Sequence, residues 1–135
     1  MKIYRRTPGI TVQLRRATDE DLLEMELQYP DDRLLPTMSA MESYVLIVGE
    51  DRYKRPVGFI EYFVRDAELF VTGLWVAPDY RGNGYGTMML ELAEATERPD
   101  MIRVVATPHS EGFYERRGYE MDRGFRVMTK VCIDD

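Results

Sequence analysis

The sequence has one cysteine and one histidine in 135 residues. With Cys132 alone, no intramolecular disulfide can form, and no Cys/His cluster exists to build a zinc site. Nowhere do apolar residues run for the ~20 positions that a bilayer-spanning helix needs. The opening residues, 1–6, are basic but lack the apolar stretch of a secretory signal, so the chain reads as cytoplasmic. Internal repeats and low-complexity segments are missing too. Positive charge is in deficit: 18 Lys+Arg stand against 24 Asp+Glu, a formal net charge of -6. That balance argues against nucleic-acid backbones or anionic membranes as partners. It mildly favours a cationic or amine-bearing one.

What is present fits one ordinary globular domain over residues 1–135, with 44% hydrophobic and 31% charged residues. Residues 1–9 read as a loose lead-in ending in the turn pair Pro8-Gly9. Alternation of Val12 and Leu14 predicts a strand over 11–17. Thr18 or Asp19 then caps a helix to residue 28, stopped by Pro30. A second short helical piece is expected over 34–41. The apolar run 44–48 reads as a strand buried on both faces, followed by strands at 57–64 and 68–76 with short polar joints, hence antiparallel. From Gly84 to Arg98 the period changes to that of a helix, with Tyr85, Met88, Met89 and Leu92 at helical spacing. Glu94 and Arg98, four apart, add local support. A strand over 101–107 must then lie parallel to 68–76 if that helix is a crossover. Residues 110–117 predict about two helical turns between an N-cap at Ser110 and a stop at Gly118. A last hairpin, 119–121 with 126–133, closes the sheet around Asp122-Arg123-Gly124. The expected class is α+β, three layers, with a mixed, mostly antiparallel sheet and one parallel, splayed strand pair.

The informative stretch is Leu74-Trp75-Val76-Ala77-Pro78-Asp79-Tyr80-Arg81-Gly82-Asn83-Gly84-Tyr85-Gly86-Thr87. A strand ends, a glycine-dense loop follows and an amphipathic helix begins. Glycines let the backbone approach a ligand and adopt positive φ. The N–H groups opening the helix point at whatever lies there, which suits a pyrophosphate-type anion. Arg81 adds positive charge. The stretch is no Walker A loop, since no Gly-Lys-Ser/Thr follows, and it fits a dinucleotide fingerprint poorly. A glycine-rich loop with no ligand is the bland alternative.

This stretch resembles the Arg/Gln-x-x-Gly-x-Gly/Ala signature of the GNAT acyl-CoA N-acyltransferase superfamily, through Arg81, Gly84 and Gly86. A second segment, Gly112-Phe113-Tyr114-Glu115-Arg116-Arg117-Gly118-Tyr119, is similar to that family's Phe/Leu-Tyr-x-x-x-Gly-Phe/Tyr. The order of elements agrees over essentially the whole chain. The resemblance implies an N-acetyltransferase that moves the acetyl group of acetyl-CoA to a primary amine, with no metal and no covalent enzyme intermediate. It implies that Leu74, Trp75 and Val76 offer backbone groups to pantetheine. The pyrophosphate is then held by Arg81, Gly82, Asn83, Gly84, Tyr85, Gly86 and Thr87. Tyr114 takes the place of the general acid, and a homodimer is favoured. One departure stands out: Thr107-Pro108-His109-Ser110 replaces the family's commoner Asn, so any CoA contact made by that Asn is not carried over.

Aminolysis of a thioester needs a neutral amine, a polarised carbonyl and a proton for the departing thiolate. A strand N–H near Val76 is the candidate oxyanion donor. A phenol of ordinary pKa ~10 is close in acidity to a thiol, which suits Tyr114. The base stays open between Glu61, Glu68, His109 and water. Glu61 shares a face with Val57, Phe59 and Phe63 in this reading and is the first choice. Cys132 reads as a small core residue, and His109 as an exposed bystander. Arg117 is a candidate for the CoA phosphates. The acceptor pocket is expected from the helices at 19–28 and 34–41 with the last hairpin. A catalytically inactive acyl-CoA-binding sensor or partner module is the rival reading, and a nucleotide-binding domain a third.

Overall fold

The computed structural model describes residues 2–7, 10–29, 42–49, 55–121 and 127–132. The second helical piece expected over 34–41, most of the polar joint expected over 50–56 and the turn expected around Asp122-Arg123-Gly124 lie outside them. Eight strands form one sheet: β1 (Lys2–Thr7), β2 (Ile10–Arg16), β3 (Glu42–Gly49), β4 (Arg55–Arg65), β5 (Glu68–Val76), β6 (Met101–Val105), β7 (Glu120–Met121) and β8 (Val127–Val131). Their spatial order is β1-β2-β3-β4-β5-β6-β8-β7. Every pairing is antiparallel except β5 with β6. The mixed, mostly antiparallel sheet is therefore as expected. The lead-in is not: Lys2–Thr7 pairs with β2, Lys2 opposite Leu14 and Tyr4 opposite Val12. An edge strand carrying Lys2, Arg5 and Arg6 lacks the apolar alternation that marks a half-buried strand, and edge charge is a usual guard against further pairing.

Helices cover both faces. α1 (Asp19–Gln28) begins with a capping box, in which Thr18 accepts from the Asp21 N–H and Asp21 accepts from the Thr18 N–H. Asp21 also holds Arg15 through two bonds of 2.6 and 2.8 Å, tying the helix to β2. Met25 of α1 packs on Phe59 of β4. α2 (Tyr85–Glu97) packs on the other face, burying Tyr85, Met89, Leu90 and Ala93 against Ile60, Tyr62, Leu69 and Ile102. Glu94 does not pair with Arg98 as its spacing suggests. It pairs with Lys130 at 3.2 Å, while Arg98 ends the helix in the left-handed region.

Two irregularities in the ladder matter for function. Opposite β3, the register slips at Val57, which turns its side chain into the core under α2 rather than onto the face of Phe59 and Glu61. The expected shared face thus loses Val57. Between β4 and β5, Glu61 faces Gly73 and Tyr62 faces Val71, so Thr72 is an extra, bulged residue. Pairing of β5 to β6 ends at the same place, with Val71 opposite Val104. Beyond Val71 the two parallel strands part, and this is the expected splay.

Candidate active site

The strand β5 leads into Ala77 and a single 3₁₀ turn, Pro78–Tyr80. Arg81 folds back so that its Nε donates to the Val76 carbonyl at 2.8 Å. The Asn83 amide donates to the carbonyls of Tyr80 at 3.1 Å and Arg81 at 3.4 Å, tightening the loop. Gly82 and Gly84 both take positive φ, 82° and 80°, a region costly for any residue with a Cβ. Gly84 is the N-cap of α2 and has no side chain to cap it. No acceptor among the described residues takes the Gly86 or Thr87 N–H, and no acidic side chain occupies the first turn. Open amides at a helix start, beside an arginine and without a competing carboxylate, fit an anionic diphosphate.

The short helix α3 (Glu111–Glu115) closes the other side. Its chain enters through Thr107, whose N–H donates to Ser110 Oγ at 2.8 Å and whose carbonyl accepts from Ser110 and Glu111. Ser110 thus serves the turn before the helix instead of capping it by side chain. At the far end Gly118 (φ 88°) and Tyr119 make a Schellman stop, with Gly118 donating to Glu115 and Tyr119 to Tyr114. Phe113 lies directly over Gly86: a Cβ there would stand 3.2 Å from its ring. Arg117 stacks on the Phe113 ring at 3.6 Å, donates to the Phe113 carbonyl and donates to Thr87 Oγ1. Burial lowers its pKa, assisted by Arg116. Arg117 clamps α3 to α2.

Between these parts lies a cleft of about 370 Å³ lined by Leu74, Trp75, Val76, Arg81, Gly86 and Tyr114, with His109, Ser110 and Phe113. Gly82, Asn83 and Gly84 stay exposed at its loop end. Tyr85 points away into the core, so only its backbone faces the loop. Thr87 stands at the next turn under Arg117. Neither Phe113 nor Ser110 is assigned to the cleft by the sequence alone: Phe113 lies next to Tyr114 in the second segment, and Ser110 just before that segment as the expected N-cap. His109 is exposed but on the cleft rim.

Tyr114 is buried, ring edge against Phe113 and Tyr119 at 5.1 and 5.3 Å. Burial pushes its phenol up to about 12, against a small opposing pull from Arg117. Its hydroxyl makes no hydrogen bond among the described residues while its ring lines the cleft. Tyr119 beside it is also raised, by burial and then by Glu94. The Tyr114 phenol is therefore a weaker acid than an ordinary one, and its strength is as a fixed O–H donor.

The carboxylates are elsewhere. Glu61 does not line this cleft. It lies 2% exposed on the α1 face, in line with Trp75 and Phe59, and accepts from Thr72 Oγ1 at 2.8 Å. Gly73 opposite it leaves room for the Phe59 ring, 3.1 Å from where a Cβ would be. Glu68 pairs with Arg103 at 3.0 Å. Cys132 is half-buried against the core, its N–H on the Asp100 carbonyl. No group of three or more His, Cys, Asp or Glu able to hold a metal exists among the described residues.

Residues 11–119 match the family model of the acetyltransferase (GNAT) family. The chain belongs to the GNAT family. An uncharacterized N-acetyltransferase of Oceanobacillus iheyensis is 34% identical over 71 residues, 47% of this chain and 42% of that protein. The chain thus spans less than half of that relative's length. Among solved structures, N-acetylglutamate synthase from Neisseria gonorrhoeae, complexed with coenzyme A and L-arginine, superposes with a TM-score of 0.71. The two are 16% identical over 91% of this chain and 34% of that one. The PaiA N-acetyltransferase from Thermoplasma acidophilum, in complex with coenzyme A, gives 0.63 at 17% identity over 89% and 98%. At such identities the likeness is one of fold. No helix among the described residues is long and apolar enough to cross a membrane.

Proposed function

We propose that this GNAT chain transfers the acetyl group of acetyl-CoA to a primary amine by direct attack. The observation that carries the reading is the cleft that the end of β5, the Arg81–glycine loop and the Tyr114 ring form together. The loop amides from Gly82 to Thr87 hold the diphosphate, with Arg81 beside them. Leu74, Trp75 and Val76 line the pantetheine, and the acetyl group reaches the gap where β6 leaves β5. The C–N bond forms as the C–S bond breaks. One amine proton goes to the base and a second ends on sulfur.

Tyr114 stands at the sulfur end in this reading. A phenol near 12 facing a thiolate of ordinary pKa ~8.5 does not give its proton away easily. It stabilises developing charge on sulfur by donating a hydrogen bond, with transfer completed as the amide nitrogen sheds its own proton. Glu61 is the base. Its burial on the face of Trp75 keeps competing water from it. The acceptor is an amine of a small molecule or a peptide, in keeping with a chain of net charge -6.

The test is thiol release from acetyl-CoA across a panel of amines, paired with thermal shifts by coenzyme A, NAD and ATP. Turnover with coenzyme A as the stabilising ligand supports the reading. Stabilisation by coenzyme A with no turnover on any amine favours a sensor module, and preference for NAD or ATP overturns it.

A further inference from the structure

On the sheet face that carries Glu61, a second concavity of about 510 Å³ opens over β5, β6 and β8. Its walls are apolar: Phe63 and Phe70, stacked face to face at 4.8 Å and 5°, with Val105 and Val127 across from them. Val105 is 71% exposed, an unusual place for a valine on a strand. Along β5 the residues facing it are Glu68, Phe70 and Thr72, which spans about 13 Å of strand. One end is neutralised by the Glu68–Arg103 pair. The other end is the bulged Thr72, at the point where β5 and β6 part. Thr72 is exposed to the groove, while Glu61 behind it is almost wholly enclosed. Thr72 Oγ1 is 2.8 Å from Glu61 Oε1.

The geometry points to this groove as the seat of the acceptor's apolar, ring-bearing substituent, with Thr72 passing the ammonium proton to Glu61. The inference rests on the acetyltransferase reading above and names the class of amine it takes. An arylalkyl amine lays its ring against Phe63, Phe70 and Val105, which places its nitrogen at the gap beside Thr72. The ammonium gives a proton to Thr72 Oγ1 as the hydroxyl proton moves to Glu61 Oε1. Glu61 ends protonated, the hydroxyl is regenerated, and the nitrogen lone pair is free for the thioester carbonyl. A carboxylate reached through a hydroxyl stays dry and still takes the proton. The amine docks as the ammonium, which the Glu61 carboxylate behind Thr72 favours.

Four proteins decide it: wild type, Val105→Asp, Thr72→Val and, as rescue, Thr72→Ser. Both positions changed are exposed and on the groove wall, so the core is untouched. With 2-phenylethylamine against ethanolamine as acceptors, wild type should prefer the ring-bearing amine by about tenfold in kcat/KM, the order expected when roughly 60 Å² of the ring's apolar surface leaves water in an open groove. Val105→Asp should abolish that preference without changing KM for acetyl-CoA. Thr72→Val should lower kcat about tenfold or more at unchanged amine KM, and Thr72→Ser should restore it. Calorimetric binding of 2-phenylethylamine to wild type and Val105→Asp is read in parallel and needs no turnover. Equal binding to both, no preference between amines, or a Thr72→Ser variant as slow as Thr72→Val would overturn the proposal. Failure to bind acetyl-CoA would instead overturn the acetyltransferase reading, with the amine titration still deciding the groove.

Discussion

The Phe113 ring rests on Gly86 so closely that one added carbon at Gly86 would stand 3.2 Å from it. That contact joins the start of α2, where the loop amides are, to the helix that carries Tyr114. Phe113 cannot yield easily, because Arg117 is stacked on it and bonded to its carbonyl. Gly86→Ala gains up to about 1 kcal/mol in helix propensity and loses about 1–3 kcal/mol to overpacking. The expected net result is a small loss of stability and a raised KM for acetyl-CoA, measured by urea unfolding and initial rates.

Tyr114→Phe should lower kcat by about 10- to 100-fold and change KM for acetyl-CoA little, because the hydroxyl acts on the departing sulfur. Equal losses in binding and turnover would make Tyr114 a binding residue. Since burial holds the phenol near 12, it stays protonated through the neutral and mildly alkaline range. A pH–rate profile should show no alkaline fall from this group until pH approaches 12. In the Phe variant the profile keeps its shape at a lower level.

The ring of contacts around Asp21 sets acid sensitivity. Burial opposes ionisation of Asp21, but the bonds from Arg15 and from the Thr18 N–H and hydroxyl outweigh it, and its pKa is lowered. A carboxyl depressed on folding contributes stability above its unfolded pKa of ~3.9, and that contribution is lost as pH falls through the folded value. Asp21→Asn should therefore cost about 2 kcal/mol at pH 7 and progressively less as pH falls through the lowered folded value of Asp21, as followed by thermal melts across pH.

The β4–β5 hairpin turns on Asp66 and Ala67 alone, with φ of 52° and 63° and Arg65 opposite Glu68. This is the two-residue I′ geometry that prefers glycine. An alanine in the left-handed region costs about 1–2 kcal/mol, so Ala67→Gly should raise stability by about 0.5–1 kcal/mol after the entropy glycine loses. A rise in Tm without change in activity checks it.

Much of this was legible in the residues. The limits of α1 and β5, the parallel pairing of β5 with β6 and the stop at Gly118 all follow from caps, periodicity and glycine. Tyr85 was readable as core, since it falls on the same helical stripe as Met89, even though the signature around it suggests a ligand contact. The bulge at Thr72 left no mark, because one extra residue in a strand changes register without changing composition. Lys2–Thr7 hid for a similar reason: edge pairing is a backbone matter, and its side chains are mostly polar. The Arg81 bond to the Val76 carbonyl and the clamp by Arg117 depend on how the loop folds back, which spacing does not carry. The acidity of Tyr114 follows from its burial, visible only once α3 is packed.

The most direct measurement is a coenzyme A titration followed by backbone amide NMR shifts. The account predicts the largest, saturable changes at the amides of Gly82, Gly84, Gly86 and Thr87 and along Leu74, Trp75 and Val76. Saturation with those amides unmoved, or shifts confined to another part of the sheet, would contradict it.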